Sequence, residues 1–524
     1  MKSQRGIVIF TVVVLLAAMV FSCRKKPLSW QTDLLVPLLH SRLGVDDIFT
    51  DSLLVENPDQ SWKLVLDQKI TGFDNSTLFE VHDTLSKDIF EIPIYFRVPP
   101  GQKVIEQESK YQMELDDVEL NSAKAKNAVL RFYVTNTVKE KLRIKYEVLS
   151  GTKDGKHFEV IDDVPAADAN GSSHITKTIN LSDYDMDFTG PNHDRTNMVV
   201  SKTTVWLHPD GDTTWVTPAD SIVVTSVFEE LDIEYAKGYF GQKSETVSDS
   251  SEISTFNNFK KGAFNINKAT AEFRINNYIG ADIGLRINEI SSINTKTGKH
   301  ISLADPVIGR NINVLRAKES GTATDPVIPT KYVFPLKNSN IEALIENQPD
   351  ITGYSLDYHL NPLGNISGGK DFIYSDKTLE GIVHMEIPLN INMDSLVISD
   401  ISQMNFDPEE KIKKGEITII AKNHFPYDVE IQFYMLDEKG NIVDSLLNDN
   451  IKSNHGIIDN NGFVRAATTD RLIIGLDEET LARLRKTKEI LVWARINNNG
   501  KTTYQLYQNY NIDIKIIFDG SYEN

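Results

Sequence analysis

Side chains suited to metal binding or nucleophilic chemistry are few in this sequence, which has 11 histidines and one cysteine, Cys23, among 524 residues. The histidines form no H-x-H or H-E-x-x-H pair, and no cysteine lies near His157 or His300. A zinc site needs three or four such ligands at close spacing. We therefore interpret His157 and His300, which both follow Gly-Lys, as surface residues of turns, and we expect no metal site and no cofactor.

Residues 364–371, GNISGGKD, differ by one residue from the phosphate-binding loop G-x-x-x-x-G-K-[ST]. Asp371 stands where that loop needs a hydroxyl for Mg²⁺, and Phe372-Ile373-Tyr374 does not begin a helix that could receive phosphate. Ser367 lies in G-x-x-S-G, which is not the nucleophile elbow G-x-S-x-G. We expect no catalytic residue here.

Trp206 and Trp215 flank Asp210-Gly211, a dipeptide typical of type I′ turns. A two-residue turn at this dipeptide would place the two indoles opposite each other. Such a pair either packs inward or, if exposed, forms a platform on which sugar rings can stack. Trp493 and Tyr504 occupy similar places near the C-terminus, which favours packing. The pair stays a candidate ligand platform.

The sequence also contains a pattern that occurs three times, centred on Asn136, Asn277 and Asn423. In each copy every second residue is apolar before and after the asparagine: Leu130, Phe132, Val134, Leu142, Ile144 and Tyr146; Ala271, Phe273, Ile275, Ile283, Leu285 and Ile287; Ile417, Ile419, Ala421, Val429, Ile431 and Phe433. This period of two predicts two strands with one buried face. We interpret the asparagines as turn residues that bond their own backbone rather than as ligand contacts.

Further signals repeat in the same order. A glycine-bearing hairpin follows each pair of strands, as TKDGKH at 152–157, TKTGKH at 295–300 and DEKGN at 437–441. Short helices are predicted later in each copy, over Asp477–Lys486 with Asp477 as N-cap, over Ile341–Asn347 and, more weakly, over Leu181–Phe188.

The expected fold is mainly β, with several immunoglobulin-like or β-sandwich domains in tandem, each carrying a short helix. The asparagines lie a domain length apart, too far for a solenoid or propeller repeat. The predicted segments are a signal peptide at 1–22, a tether and small β-rich N-terminal domain at 23–100, β-sandwich repeats at 101–240, 262–395 and 415–524, and linkers at 241–261 and 396–414.

The N-terminus carries Lys2 and Arg5 and then an uncharged run, Gly6 to Phe21. As a helix this run would be about 24 Å long, short for a permanent membrane span. Its end, Val20-Phe21-Ser22-Cys23, resembles the lipobox of bacterial lipoprotein precursors. That resemblance implies cleavage before Cys23 and lipidation of its thiol, for example with palmitate.

Cleavage would remove Lys2 and Arg5, change the net charge from −19 to −21 and leave 502 residues without a thiol. An acidic excess of this size argues against nucleic acid as a partner. The acyl chains would attach the protein to the membrane. The basic residues that follow Cys23 differ from the acidic cluster found in some surface lipoproteins, so we expect the outer membrane, facing the periplasm, with the cell surface as the alternative.

The segment from Asn423 to Leu447 resembles the immunoglobulin-like repeats of envelope lipoproteins of unknown function. Repeated domains without a repeated polar cluster favour a non-enzymatic scaffold or interaction module for other cell-envelope proteins. Two alternatives remain open. One is a carbohydrate-binding lipoprotein that uses aromatic platforms, and the other is an extracytoplasmic hydrolase whose site the sequence does not reveal.

Overall fold

The structure is a computed structural model that describes residues 32–49, 51–70, 84–256, 263–404, 412–484, 486–498 and 502–522. It is 61% strand and 3% helix, which confirms a mainly β fold of several β-sandwiches with few short helices. No helix within these ranges is long and apolar enough to cross a membrane. The predicted signal peptide and Cys23 lie outside the described residues.

Strands in the first half of the chain are β1 (Thr32–Gly44), β2 (Leu54–Glu56), β3 (Trp62–Ile70), β4 (Thr84–Glu91), β5 (Phe96–Val98), β6 (Lys103–Gln112), β7 (Glu119–Asn136), β8 (Leu142–Lys153), β9 (Lys156–Val164), β10 (Ser173–Asn180), β11 (Asp185–Asp187), β12 (Met198–Leu207), β13 (Thr214–Val216), β14 (Ser221–Tyr239) and β15 (Lys243–Glu252). Those of the middle are β16 (Ala263–Ile266), β17 (Thr270–Asn277), β18 (Ile283–Asn294), β19 (Lys299–Ser302), β20 (Asn311–Val314), β21 (Lys318–Glu319), β22 (Val327–Ile328), β23 (Thr330–Pro335), β24 (Ile351–Leu360), β25 (Asp371–Tyr374), β26 (Leu379–Pro388), β27 (Asn390–Asp394) and β28 (Leu396–Gln403). The last are β29 (Ile412–Asn423), β30 (Asp428–Leu436), β31 (Ile442–Ser445), β32 (Ile451–Ser453), β33 (Ile457–Ile458), β34 (Val464–Ala466), β35 (Thr468–Leu476), β36 (Glu489–Asn497), β37 (Tyr504–Gln505) and β38 (Asn511–Tyr522). The helices are α1 (Ile341–Glu346) and α2 (Glu478–Leu484), and Asp51–Leu53 is a 3₁₀ turn.

The chain divides into two compact units, neither of which is continuous in sequence. Unit 1 contains the residues up to Leu64, Thr255–Lys268 and Ile387–Asn524, and unit 2 contains Val65–Ser254 and Ala269–Glu386. Unit 2 therefore holds most of the first two sequence repeats, and unit 1 holds the third.

In unit 2 the first repeat has one layer of strands in the order β4-β14-β7-β10 and a second in the order β9-β8-β12-β6. Phe132 of β7 and Tyr146 of β8 meet between the layers, with ring centroids 4.8 Å apart. The second repeat packs β15-β24-β18 against β26-β17-β23. Strand β25 of the second repeat pairs with the end of β14, so a sheet of the first repeat continues into the second.

In unit 1 the third repeat has the layers β1-β38-β29-β35 and β28-β36-β30, with β31 and β32 also paired to β30. The long register between β1 and β38 runs from Thr32↔Tyr522 to Gly44↔Asn511. The N-terminal and C-terminal strands of the described chain are therefore neighbours in one sheet.

The asparagine-centred strand pairs have the same arrangement in all three repeats. The strand before the asparagine lies in one layer, and the strand after it lies in the other. All the alternating apolar residues predicted to face a core are buried except Ala271, which is half-buried. The pattern of period two is thus explained by two facing sheets that share one core.

Three sequence predictions are wrong because strands pair with distant parts of the chain. Segment 23–100 does not form its own domain in the described residues, since β1 joins unit 1 while β4 and β5 pair within unit 2. Both predicted linkers contain a strand. The linker at 241–261 contains β15, which pairs with β24, and the linker at 396–414 contains β28, which pairs with β36. Residues 181–188 form a turn and β11 rather than a helix. The helices predicted in the other two repeats are present as α1 and α2.

Candidate functional site

The three asparagines form one repeated hydrogen-bond network, which we call the asparagine clamp, and all three side chains are 0% exposed. Each amide oxygen accepts the N–H of the residue two places on, from Val138 (2.7 Å), Ile279 (2.9 Å) or Phe425 (2.8 Å). Each Nδ2 donates to the carbonyl four places on, of Glu140 (3.3 Å), Ala281 (3.3 Å) or Tyr427 (2.9 Å), and to a distant loop carbonyl, of Pro165 (2.8 Å), Leu315 (2.9 Å) or Asn454 (3.0 Å).

These bonds confirm the turn interpretation, because each amide is occupied by the backbone of its own repeat. The clamp lies where the chain passes from one layer to the other and fixes that crossing to a third segment. It leaves the asparagines no free group for a ligand.

Trp206 and Trp215 are not cross-strand partners, so the predicted hairpin is wrong. Trp206 is half-buried in β12, opposite Lys103 on one side and Arg143 on the other. Both edges of β12 are therefore occupied, and Trp215 instead lies in β13 opposite Arg97, with 62% of its surface exposed. The two indoles belong to different sheets and do not form a joint platform.

The histidines of the repeated hairpins lie at turns, as expected. His157 is exposed opposite Thr152, and Asp154-Gly155 between them has positive φ at both residues. The His300 side chain is half exposed, with Nε2 3.5 Å from Glu289 Oε1. Within the described ranges no three His, Cys, Asp or Glu side chains form a group that could hold a metal ion.

The phosphate-loop-like segment leads into β25, not into a helix. The Asp371 side chain is 0% exposed, accepts a hydrogen bond from Asn361 Nδ2 (2.8 Å) and pairs with Arg316 (3.1 Å). The same guanidinium pairs with Asp282 at 2.9 Å. Asp371 is thus part of a buried polar network, whereas the Ser367 hydroxyl donates to Asn365 Oδ1 and accepts the N–H of Lys370, both within its own loop.

A cluster around His208 was not anticipated from sequence. The buried His208 has Nε2 2.9 Å from Asp163 Oδ2, while its Nδ1 accepts the N–H of Asp210 at 3.1 Å. Arg143 and Lys141 also bind Asp163, at 2.8 and 3.0 Å. The hydrogen bond from Arg143 holds the pKa of Asp163 well below its usual range, with smaller effects from Lys141 and His208. The network joins the ends of β8, β9 and β12, and no short motif marks it because its members are far apart in sequence.

The third repeat has an apolar strand at a free sheet edge. Strand β35 pairs with β29 through an unbroken register, and no strand of the described chain pairs with its other side. Leu472 and Ile473 are 37% and 52% exposed, and a Cβ added at Gly475 would meet no atom within 4 Å.

The direction of the free backbone groups follows from the pairing. The His424 N–H donates to Asn511 O at 2.8 Å, so even-numbered residues of β29 bond to β38. Odd-numbered residues of β29 then bond to even-numbered residues of β35. The N–H and C=O groups of Arg471, Ile473 and Gly475 consequently point outward, and such a row can pair with another strand.

No family model and no curated protein matches this sequence. Among solved structures, it is similar to a provisionally assigned secreted protein from Parabacteroides distasonis, with 10% identity, a TM-score of 0.30 and coverage of 93% of this chain and 99% of that chain. A structure of infectious bursal disease virus, Gx strain, matches with 9% identity, a TM-score of 0.13 and coverage of 84% and 81%. TM-scores this low do not indicate a common function.

Proposed function

We propose that this protein is a lipid-anchored, non-enzymatic interaction module of the bacterial cell envelope that binds partner proteins by strand addition at β35. The free edge of β35 is the observation that carries this proposal. Natural proteins usually protect such edges with charges, proline or bulges. From Leu472 to Leu476 this edge has none of them.

The partner is an extended segment with β-branched or other apolar side chains at alternate positions. Its backbone would bond to Arg471, Ile473 and Gly475, while its side chains extend the faces on which Leu472 and Ile473 lie. Main-chain hydrogen bonds would supply affinity and the alternating side chains would supply selectivity.

Site-specific photo-crosslinking in intact cells tests strand addition. A photoreactive residue at Arg471 should give discrete adducts, whereas one at Lys439, in an exposed hairpin turn of the same repeat, should not. Ile473→Pro should abolish the adducts with little change in melting temperature, because it removes an outward N–H rather than a bond to β29. Ile473→Thr, which keeps that N–H, should retain most of them.

Adducts from both positions, or adducts that survive Ile473→Pro, would refute strand addition at β35. Such adducts would not bear on the proposed lipid attachment, since that depends on Cys23.

Attachment through Cys23 is tested by metabolic labelling with a fatty acid. Cys23→Ser should abolish label incorporation and leave an unprocessed precursor, because Cys23 is the only thiol in the chain. Normal labelling of this variant would refute lipidation at Cys23. Protease accessibility on intact and permeabilised cells then distinguishes a periplasmic from a surface location.

A further inference from the structure

The first repeat contains an internal cavity of about 60 Å³ between its two layers. Every residue that lines it is apolar. Three of them, Ala123, Ala125 and Ala128, are on β7. Further along the same strand the core positions carry Leu130, Phe132 and Val134, which are all 0% exposed. One end of this core is therefore filled by large side chains, and the other end is left open by small ones.

The backbone beside the alanines also departs from regular pairing. The register between β14 and β7 shifts at Glu229/Asp232, at Asp232/Ile233 and at Ile233/Tyr235. Bulges of this kind bend a strand and are found next to binding sites. Two lining residues, Ile233 and Met186, are half-buried, whereas the others are buried. Ile233 lies opposite Ala125, and Met186 lies opposite Ala123. These two side chains mark the way into the cavity, and Met186 and Met113 in its wall can adapt to what enters.

From this geometry we infer that the cavity binds the end of a slender aliphatic chain that belongs to an uncharged amphiphile. An apolar wall offers no partner for a polar group, so a headgroup has to stay outside. Apolar cavities of about 150 Å³ accept benzene, and this cavity is less than half that size. It therefore suits a single alkyl chain better than a ring.

Charges around the opening select the headgroup. Lys124 and Glu234, next to Ala123 and Ile233 in sequence, form an ion pair at 3.2 Å. Asp185 and Asp187 adjoin Met186, and Asp232 and Glu234 adjoin Ile233. This acidic excess beside the two half-buried lining residues disfavours a fatty-acid carboxylate and favours a neutral headgroup.

Methyl NMR of the whole protein labelled with [methyl-¹³C]methionine tests this site, because Met113 and Met186 report on it directly. Octyl glucoside below its micelle concentration should shift these two signals in a saturable way and leave the other methionines unchanged. Benzene and octanoate should bind more weakly, by about tenfold or more.

Ala125→Leu should fill the cavity and abolish the shifts, whereas Ala219→Leu, at an exposed position of the same repeat, should leave them intact. The remaining methionine signals show whether each variant is folded, and Ala125→Val replaces Ala125→Leu if that variant is not. Octyl glucoside binding that persists in the filled variant, or that shifts all methionines alike, would overturn the assignment.

Discussion

Asparagine is suited to the crossing between layers because its amide offers an acceptor and two donors on a short side chain. In the clamp at Asn423 the amide oxygen accepts a hydrogen bond from the N–H of Phe425, and the amide nitrogen donates hydrogen bonds to the carbonyls of Tyr427 and Asn454. Aspartate at position 423 would lack the two N–H donors, and leucine would make none of the three hydrogen bonds. Buried backbone groups left without partners cost more free energy than the original bonds contribute.

Asn423→Ala should therefore reduce the free energy of unfolding of unit 1 by about 3 kcal/mol or more. The amide is fully buried and three backbone groups lose their partner together. Asn461→Ala, at an exposed position of the same repeat, should stay within about 0.5 kcal/mol of the wild type. Urea unfolding followed by tryptophan fluorescence provides both values, and equal effects of the two substitutions would contradict a special role for the clamp.

At the residue scale the sequence was informative where a bond is local. The asparagines bond the backbone two and four residues on, so the repeated pattern was enough to predict a turn. The predicted pairing of Trp206 with Trp215 was wrong for the opposite reason, because strands far away in sequence occupy both edges of β12. Asp163 and His208 carry no signal at all, since their contact spans 45 residues.

The repeated hairpins show how similar sequences form different turns. In TKDGKH, Lys153 pairs with Lys156 across Asp154-Gly155, a two-residue turn with φ of 52° and 73°. In TKTGKH the last paired residues are Asn294 and Lys299, and the loop has four residues. Aspartate tolerates positive φ better than the β-branched threonine that replaces it, which explains why only the first hairpin is tight.

Gly155→Ala should lower the stability of unit 2 by about 1–2 kcal/mol, because alanine is strained at positive φ although the space around Gly155 is open. Gly155→Asn, which adopts this conformation more readily, should cost clearly less. The comparison is made by thermal melting of the two variants. A loss in the asparagine variant as large as that in the alanine variant would point to a steric cause instead.

Edge strands were the elements that sequence reasoning missed. Strand β15, KSETVSDSSE, shows no apolar alternation because nearly all of its side chains are exposed, yet it pairs with β24 over its whole length. Composition cannot distinguish such a strand from a linker, since backbone bonds and polar side-chain bonds to β24, not buried apolar side chains, hold it in place. Central strands such as β7 and β29 bury one face and were recognised from that face.

For the whole molecule, the third repeat depends on segments outside its own sequence. Strand β38 needs β1 as a neighbour, and β36 needs β28. Residues such as Leu39 and Leu43 of β1 are buried in unit 1. The repeat boundaries predicted from sequence therefore do not mark out a complete core.

A fragment of residues 411–524 lacks β1 and β28 and should not unfold cooperatively on heating. Residues 390–524 followed by a short linker and residues 32–49 should do so, because Tyr522 and Thr32 are direct neighbours in the register. Near-ultraviolet circular dichroism during heating distinguishes the two. A sharp transition in the shorter fragment would show that the third repeat folds without either strand.

The pairing of β1 with β38 also constrains the timing of biogenesis. On the proposed export route β1 is delivered before its partner β38, and ribosomes need roughly 25 to 100 s for the chain between them at about 5–20 residues per second. Throughout that interval β1, with apolar residues such as Leu39 and Leu43, lacks the backbone partner that β38 provides. A holding chaperone in the receiving compartment would then be a requirement of this topology, and strains without one should accumulate aggregates seeded by β1.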